Sequence, residues 1–381
     1  MLVIDADCHL IESPDLWSDL GIDGVGWNGL SIQGRLVPKA PAQVDPSQYE
    51  TGLARVYRQA HRDGWSCAAY ETMLDEEGID RAVLFPTRAL GLLGTHVPRD
   101  LLRRAIARYT FRARLFTEGS RRLFPVGLLS REYPDLGPEC VQWAWACGFA
   151  AVVTRPNPVG LAPALDSPAY EETWAEAARL GLPVIFHEGT GADRFLGSDR
   201  ATSYMARHAM SHPFEMMAAS QQLILGGVLE RHPRLRLGFF EAGAGWVPYW
   251  LDRLDGHASS ILGREYTLPL LPSLYFLRQC AVTLDAGEAD PDTRPSLRAM
   301  FASDLPHGDS AFPHARRLTS RANHGRLDVM GGRAKEFFSW TFETHGGVPC
   351  TSSIRTATTA PPSAPSSSTP SPGSLEVEAY A

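Results

Sequence analysis

The stretch that decides the fold is Leu2–His9, which reads Leu-Val-Ile-Asp-Ala-Asp-Cys-His. Its first three residues form an apolar run that predicts a short buried strand. Side chains on a strand alternate between its two faces, so Asp5, Asp7 and His9 project the same way where the strand gives way to a loop. A carboxylate and an imidazole two residues apart on one face supply half of a metal site. A domain that opens with metal ligands on its first strand is typical of a particular class of enzyme.

Short apolar strands recur along the chain and alternate with helix-like segments. Eight strands are predicted: Leu2–Asp7, Arg81–Pro86, Phe124–Leu129, Ala150–Thr154, Pro183–His187, Leu235–Glu241, Ala281–Leu284 and Ala299–Asp304. Helical periodicity lies between them, as at Ala68–Glu77, Tyr170–Leu180 and Pro213–Arg231. Buried strands that alternate with helices predict a parallel sheet covered by helices. Eight such units predict an α/β fold, a closed (β/α)8 TIM barrel, over residues 1–345.

Two inserts and a tail interrupt this pattern. Residues 20–65 are rich in Gly and Pro and lack periodicity, so we expect a lid-like loop over the barrel mouth. Residues 190–212 follow the fifth strand and contain His208 and His212, and a second long loop is expected there. In residues 346–381 Ser, Thr, Ala and Pro dominate. Such a tail cannot bury a core and is expected to be disordered.

Composition and charge restrict the class of protein. Hydrophobic residues make up 44% of the 381 residues, which is enough to build a large core. The net charge is −7 and the arginines are scattered, so no nucleic-acid partner is expected. The chain shows no run of eighteen apolar residues and no signal-peptide pattern, which predicts a cytoplasmic protein without a membrane span. Six cysteines without CxxC pairing predict reduced thiols.

Polar residues stand at the ends of five predicted strands. They are Asp7 and His9, Arg155, His187 and Glu188, Glu241, and Asp304. Catalytic groups of such barrels come from the C-terminal ends of several strands, so we expect these side chains to converge. Two histidines and two carboxylates match one divalent ion, with zinc preferred and manganese the alternative. Such an ion would lower the pKa of a bound water to about 7 and polarise a carbonyl or an amidine.

Five segments in order give the chain a family resemblance. They are Ile4–His9, Phe186-His187, Gly226–Pro233 with Phe240–Trp246, Ala302–His307, and Met330–Ala334. Together they resemble the amidohydrolase-related metal-dependent hydrolases, in the branch that includes aminocarboxymuconate-semialdehyde and resorcylate-type decarboxylases. The resemblance covers about residues 1–340. It implies a metal site composed of Asp7, His9, His187 and Asp304, and it implies that Asp304 can accept a proton from the attacking water.

Two positions depart from the family pattern. Asp7 stands where the family has a first-strand His or Glu, and Glu241 stands where the decarboxylases have a sixth-strand histidine. Glu241 therefore has three candidate roles, as a general acid or base, as a metal ligand, or as the partner of a neighbouring arginine. The replacement of this histidine favours hydrolysis over decarboxylation.

The main functional expectation is metal-dependent hydrolysis of a C–N bond in an amide, lactam or amidine. In this mechanism Asp304 accepts the proton of the activated water and returns it to the leaving nitrogen, assisted by Glu241 or His212. The resemblance extends the expectation to natural-product or modified-peptide biosynthesis, on a small-molecule or peptide substrate. Non-oxidative decarboxylation of an aromatic or unsaturated carboxylic acid is the alternative. A metal-poor binding protein on a decayed barrel is the third hypothesis.

The remaining polar residues near the strand ends have competing roles. Arg88 and Arg155 either clamp a substrate carboxylate bidentately or pair with carboxylates of the pocket. Asp5, Glu12 and His307 are expected to support the site rather than to bind the metal. A homodimer is implied by the resemblance alone.

Overall fold

The computed structural model describes residues 2–25, 29–37, 57–189, 196–197, 200–291, 296–308 and 310–338. Within these ranges the central sheet has eight strands: β1 Ile4–Leu10, β2 Arg81–Pro86, β3 Leu123–Leu128, β4 Ala151–Thr154, β5 Val184–His187, β6 Leu237–Phe240, β7 Cys280–Leu284 and β8 Arg298–Phe301. Each strand pairs in parallel with the next along the chain. This is the strand order of the predicted barrel.

The barrel is joined between its last and first strands by the segment after β8. The Asp304 amide donates to the Asp7 carbonyl at 2.9 Å, and the His9 amide donates to the Leu305 carbonyl at 2.6 Å. These bonds bring the end of β8 beside the end of β1. Two of the predicted metal-binding residues, Asp7 and Asp304, therefore meet where the barrel closes.

Helices alternate with the strands of the barrel. They are α1 Arg58–Arg62, α2 Cys67–Glu77, α3 Arg88–Leu93, α4 Arg99–Phe116, α5 Gly137–Ala146, α6 Glu171–Leu180, α7 Tyr204–Leu225, α8 Val228–Arg231, α9 Trp246–Ala258, α10 Pro272–Gln279, α11 Ala315–Ala322 and α12 Arg333–Phe337. Short 3₁₀ turns cover Ser18–Leu20, Pro134–Leu136, Pro168–Tyr170 and Ile261–Glu265, and a π turn covers Asp328–Gly332. Local signals set several ends: Ser66 accepts from the Ala69 amide at the start of α2, and Gly78 ends that helix at φ 68°.

The predicted strands agree with the observed ones to within three residues at either end, because the strands are buried on both faces and read as apolar runs. The largest differences are three residues, at the ends of β8, which stops at Phe301 rather than Asp304, and of β1, which was predicted to end at Asp7. Backbone pairing with β2 continues through His9 and Leu10, so β1 ends three residues later. The polar residues of β1 are therefore part of the strand and are fully buried.

The two predicted inserts are more regular than expected. Ile22–Val25, Gly29–Ile32 and Arg35–Val37 form a three-stranded antiparallel sheet, so the expected loop over residues 20–65 is wrong in this part. In the middle strand the buried Leu30 and Ile32 alternate with Gly29 and Ser31, whereas Val25 and Leu36 of the two flanking strands are exposed. Residues 38–56 of the same insert lie outside the described residues.

The expected loop over residues 190–212 is also wrong in its second half. Helix α7 begins at Tyr204, where the Ser203 side chain accepts from the Ala206 amide, and it continues through Pro213. We predicted the start at Pro213. The helix begins nine residues earlier in the chain, so His208 and His212 are helical residues.

Some predictions fall on parts of the chain that are not described. Residues 346–381 lie outside the described residues, so disorder of the tail stays a prediction.

Among the helices of the described ranges, none is long and apolar enough to cross a membrane.

Candidate metal centre

Three side chains from opposite sides of the barrel meet at the C-terminal ends of the strands. Asp7 and His9 come from β1, and His187 is the last residue of β5. The Nε2 atoms of His9 and His187 each lie 3.4 Å from Asp7 Oδ1. All three side chains are buried. The structure therefore brings together three of the four residues predicted to bind a metal in one cluster of ligand atoms.

Backbone carbonyls orient the two imidazole rings. His9 Nδ1 lies 3.1 Å from the Pro86 carbonyl, and His187 Nδ1 lies 2.7 Å from the Glu188 carbonyl. A ring nitrogen that faces a carbonyl oxygen carries the proton, which leaves Nε2 as an acceptor in each ring. Both Nε2 atoms and Asp7 Oδ1 are buried and have no hydrogen-bond partner. Three buried acceptors that face one another are stabilised by a cation, so these residues fit a divalent ion.

The electrostatics of the cluster also favour positive charge. Burial alone would raise the pKa of Asp7, but the neighbouring His187 and His9 outweigh burial and lower it. Burial would lower the pKa of His187, and the carboxylates of Asp7 and Glu241 outweigh burial and raise it. Both shifts favour positive charge at this position, which a divalent ion would supply.

Asp304, the fourth predicted ligand, approaches from the loop after β8. Its Oδ1 atom lies 3.3 Å from His9 Nε2 and 2.9 Å from His307 Nδ1. The His307 ring stacks on the His9 ring with 3.8 Å between their centroids. Asp304 has a φ of 52°, a left-handed conformation that is uncommon outside glycine. His307 thus contacts both Asp304 and His9, and the supporting role predicted for it stays a prediction.

Asp5 and Glu12 hold the backbone around the cluster. Asp5 accepts hydrogen bonds from the amide and hydroxyl of Ser303, and burial nevertheless raises its pKa to about 8. Glu12 accepts from the three backbone amides of residues 87–89, at 2.8–3.2 Å, and so caps the start of α3. Both carboxylates accept hydrogen bonds from donors of the protein itself, as expected for supporting residues.

Glu241 and His212 form a second pair beside His187. Glu241 Oε2 lies 3.3 Å from His187 Nδ1 and 3.4 Å from His212 Nε2. Burial disfavours the charged form of His212, but Glu241 and Glu188 outweigh burial and raise its pKa to about 9. Burial likewise opposes the charge on Glu241, but His212 and His187 hold its pKa well below the usual range. Glu241 is therefore an ionised carboxylate between two histidines.

The two arginines predicted to clamp a substrate already have protein partners. Arg155 Nη2 lies 2.6 Å from Glu188 Oε1, and both side chains are buried. Arg88 donates from Nε to the Glu12 carbonyl and from Nη1 to the Gly29 carbonyl. Arg155 thus forms the ion pair that was the alternative to substrate binding. A substrate contact at either arginine stays a prediction.

Glu188 is a residue whose role sequence reasoning missed. Its Oε1 atom pairs with Arg155, and its Oε2 atom accepts from the Ser211 hydroxyl at 2.9 Å and lies 3.6 Å from His212 Nδ1. Its position directly after His187 at a strand end was the available signal. Glu188 links β4, β5 and α7 beneath the His212–Glu241 pair.

Removal of the Arg155 side chain is expected to destabilise the barrel strongly. Arg155→Leu leaves the buried Glu188 carboxylate without its ion partner, which should cost about 3–5 kcal/mol. Urea unfolding followed by circular dichroism would measure the change. The double variant Arg155→Leu/Glu188→Leu should be less destabilised than the single one. Arg179→Leu, which removes the i,i+3 pair of the exposed Arg179 with Glu176, is the matched control and should leave the unfolding midpoint close to that of the wild-type protein. Equal midpoints for Arg155→Leu and the control would contradict the expectation.

A cavity of about 450 Å³ opens beside the cluster. Asp7, Glu241, Asp304 and His212 line it together with His208, Asp285 and small apolar residues. Its volume is in the range of small-molecule sites. The described residues that line it include no lysine or arginine. Positive charge at this wall therefore comes from histidines and from any bound ion.

Comparison with known proteins gives one curated relative and several solved structures. The chain is 23% identical over 256 residues to 2-amino-3-carboxymuconate-6-semialdehyde decarboxylase of Dictyostelium discoideum, a match that covers 67% of this chain and 66% of the relative. Similar folds include an amidohydrolase of Mycobacterium avium subsp. paratuberculosis K-10 (TM-score 0.65, 18% identity, 88% of this chain and 99% of the other). They also include 2,6-dihydroxybenzoate decarboxylase from Rhizobium (TM-score 0.65, 18% identity, 89% and 99%).

A third solved structure is a dihydroxybenzoic acid decarboxylase from Polaromonas sp. JS666 with bound manganese (TM-score 0.64, 17% identity, 89% of this chain and 97% of the other). These findings correct the main functional expectation. C–N hydrolysis ranked first because Glu241 replaces a sixth-strand histidine, but the curated relative and two of the three solved structures named here are decarboxylases. In the structure, His212 of α7 places an imidazole 3.4 Å from Glu241, a contact that the sequence at this single position does not reveal.

A match to a family model identifies the family of this chain, whichever reaction the protein catalyses. The family model described as amidohydrolase matches residues 4–322, which include every strand of the barrel and every predicted site residue. The chain therefore belongs to the amidohydrolase family.

Proposed function

We propose that the protein is a metal-dependent, non-oxidative decarboxylase of an aromatic or unsaturated carboxylic acid. The observation that carries the proposal is the buried cluster of Asp7, His9 and His187, which lies beside Asp304 at the wall of a 450 Å³ cavity. The similarity to decarboxylases supports this reaction over others of the family.

The metal would be held by Asp7, His9 and His187, with Asp304 adjacent. When bound, a divalent ion supplies positive charge that holds substrate oxygens and stabilises negative charge developing on them. Two imidazole nitrogens with carboxylate oxygens suit either manganese or zinc. Manganese is bound in a similar decarboxylase, which places it ahead of zinc in this proposal.

Decarboxylation replaces the substrate carboxylate by a proton. The carbon that bears the carboxylate accepts the proton, the C–C bond breaks, its electron pair stays with the substrate, and carbon dioxide leaves. We assign this proton to the Asp304 carboxyl group, because it lines the cavity and has His307 Nδ1 at 2.9 Å as a partner for proton exchange. Water then restores the proton.

Glu241 and His212 have a different role in this proposal. The low pKa of Glu241 leaves it ionised, so it can accept a proton but has none to donate. His212, with a pKa of about 9, keeps a positive charge at neutral pH when no metal is near and offsets Glu241 at the cavity wall. The positive charge of His212 and the negative charge of Glu241 therefore offset each other at the wall next to the substrate.

The volume of the cavity restricts the substrate to a small molecule. A volume of about 450 Å³ holds one substituted ring or a short unsaturated diacid, and its lining includes several alanines. A peptide, the other substrate expected from the sequence, is larger than a cavity of about 450 Å³ would hold. Hydroxybenzoates and dienoic acids are the compounds to examine first.

The test is a product assay on the metal-loaded protein. Hydroxybenzoates and unsaturated acids should release carbon dioxide, and in D₂O one deuterium should appear at the carbon that lost its carboxylate. His187→Ala, prepared in the same way, should release none. Amides and lactams incubated in parallel should stay intact. Release of ammonia or an amine from these without carbon dioxide from any acid would overturn the proposal.

A further inference from the structure

A second group of metal-type side chains lies next to the first. His208 and His212 of α7 and Glu241 after β6 each offer one ligand atom, and these atoms lie within 4.8 Å of one another. The two histidines are four residues apart on one helix, so their imidazoles share a face, and their ring centroids are 4.3 Å apart. Two histidines at this helical spacing are a known zinc-binding arrangement.

The His212 ring is oriented so that its Nε2 atom faces the Glu241 carboxylate. His212 Nδ1 lies 3.0 Å from the His208 carbonyl, so Nδ1 donates to that carbonyl and Nε2 is the ring nitrogen that can bind a cation. His212 is 3% exposed, and neither its Nε2 atom nor Glu241 Oε2 has a hydrogen-bond partner. Without an ion, a proton on His212 Nε2 balances the charge of Glu241, and a divalent cation bound by these two buried atoms, which lie 3.4 Å apart, would replace that proton.

The second group is separated from the first by the His187 ring. The cluster of Asp7, His9 and His187 uses His187 Nε2, whereas Glu241 contacts His187 Nδ1. The first group therefore lies at the Nε2 atom of His187 and the second lies at its Nδ1 atom, and the two groups share no ligand atom. His208, His212 and Glu241 all line the cavity, so an ion there would face the substrate.

We propose that His208, His212 and Glu241 form a second divalent-cation site. Two imidazoles and one carboxylate, with a further position open to the cavity, match the ligand set of zinc. An ion at this position would give the cavity wall a positive charge that its described residues do not supply through lysine or arginine. The proposed decarboxylation does not depend on this site, and the site does not depend on that reaction.

Metal stoichiometry tests the proposal without an activity assay. Apoprotein saturated with Zn²⁺ and then desalted should contain two equivalents by elemental analysis. His208→Asn and His212→Gln should each retain one equivalent, with affinity for the second at least about 10-fold lower. His187→Ala should also retain one, at the opposite site. His257→Asn, an exposed histidine of α9, is the control and should retain two.

Cobalt provides an independent readout. Titration of the apoprotein with Co²⁺ should give two phases of visible absorption, of which His208→Asn removes one and His187→Ala removes the other. Unfolding midpoints by circular dichroism would establish that the variants are folded. One equivalent of zinc in the saturated wild-type protein, or two equivalents in both His208→Asn and His212→Gln, would overturn the second site.

Discussion

His187→Ala is expected to remove the metal bound at the cluster of Asp7 and His9 and to abolish turnover. The substitution deletes one of three buried acceptors that converge on the ion position. Even partners that only orient a ligand typically change metal affinity 10–100-fold, so loss of a ligand itself should weaken binding by more than about 100-fold. The variant should contain one equivalent of metal fewer than the wild-type protein.

Thermal unfolding gives a second measure of the same loss. A ligand present at 100 times its Kd stabilises a folded protein by about 2.7 kcal/mol. Manganese should therefore raise the Tm of the wild-type protein and raise that of His187→Ala much less. His232→Ala is the matched control, because His232 is partly buried and pairs with Glu171 away from the cluster. If His187→Ala keeps the wild-type metal content and Tm response, His187 is not a ligand.

Asp304→Asn is expected to lower kcat by about 10²–10⁴-fold, the usual contribution of a positioned proton donor. The amide side chain has nearly the same shape but carries no transferable proton. Asparagine also tolerates the left-handed backbone at this position, where φ is 52°, so the fold should be kept. The measurement is steady-state carbon dioxide release at saturating manganese, which separates a proton-transfer defect from weakened metal binding.

Asp285→Asn provides the control for the Asp304 prediction. Asp285 also lines the cavity but belongs to neither group of candidate ligands, so its substitution should change kcat less than about 10-fold. If the kcat of Asp304→Asn stays within 10-fold of the wild-type value at full metal occupancy, Asp304 is not the proton donor and another residue must supply the proton. Circular dichroism of both variants would confirm that each is folded.

The sequence alone was enough to locate the barrel strands. Parallel strands buried on both faces read as continuous apolar runs, so Arg81–Pro86 was predicted with its observed bounds and the others lay within three residues. It also placed Asp7 and His9 on one face, because side chains on a strand alternate. The 3.4 Å contact between these two residues is consistent with that local rule.

Tertiary structure decided how these side chains are used. Glu241 and Asp304 adopt left-handed backbone conformations that no local pattern in this chain signals, and each is held by contacts with another strand. Glu241 lies beside His212 of α7, and Asp304 lies beside His9 of β1, although each pair is far apart in the chain.

The same reason explains the predictions that failed. The long loop expected before Pro213 is partly helix, because Ser203 caps α7, and the helix delivers an imidazole to the position where the sequence shows only Glu241. For Arg155 the sequence left two roles open, a substrate contact or an ion pair, and the folded chain shows the ion pair with Glu188. Strand position and side-chain alternation depend on neighbours in the sequence, whereas partners across the barrel depend on how eight strands close.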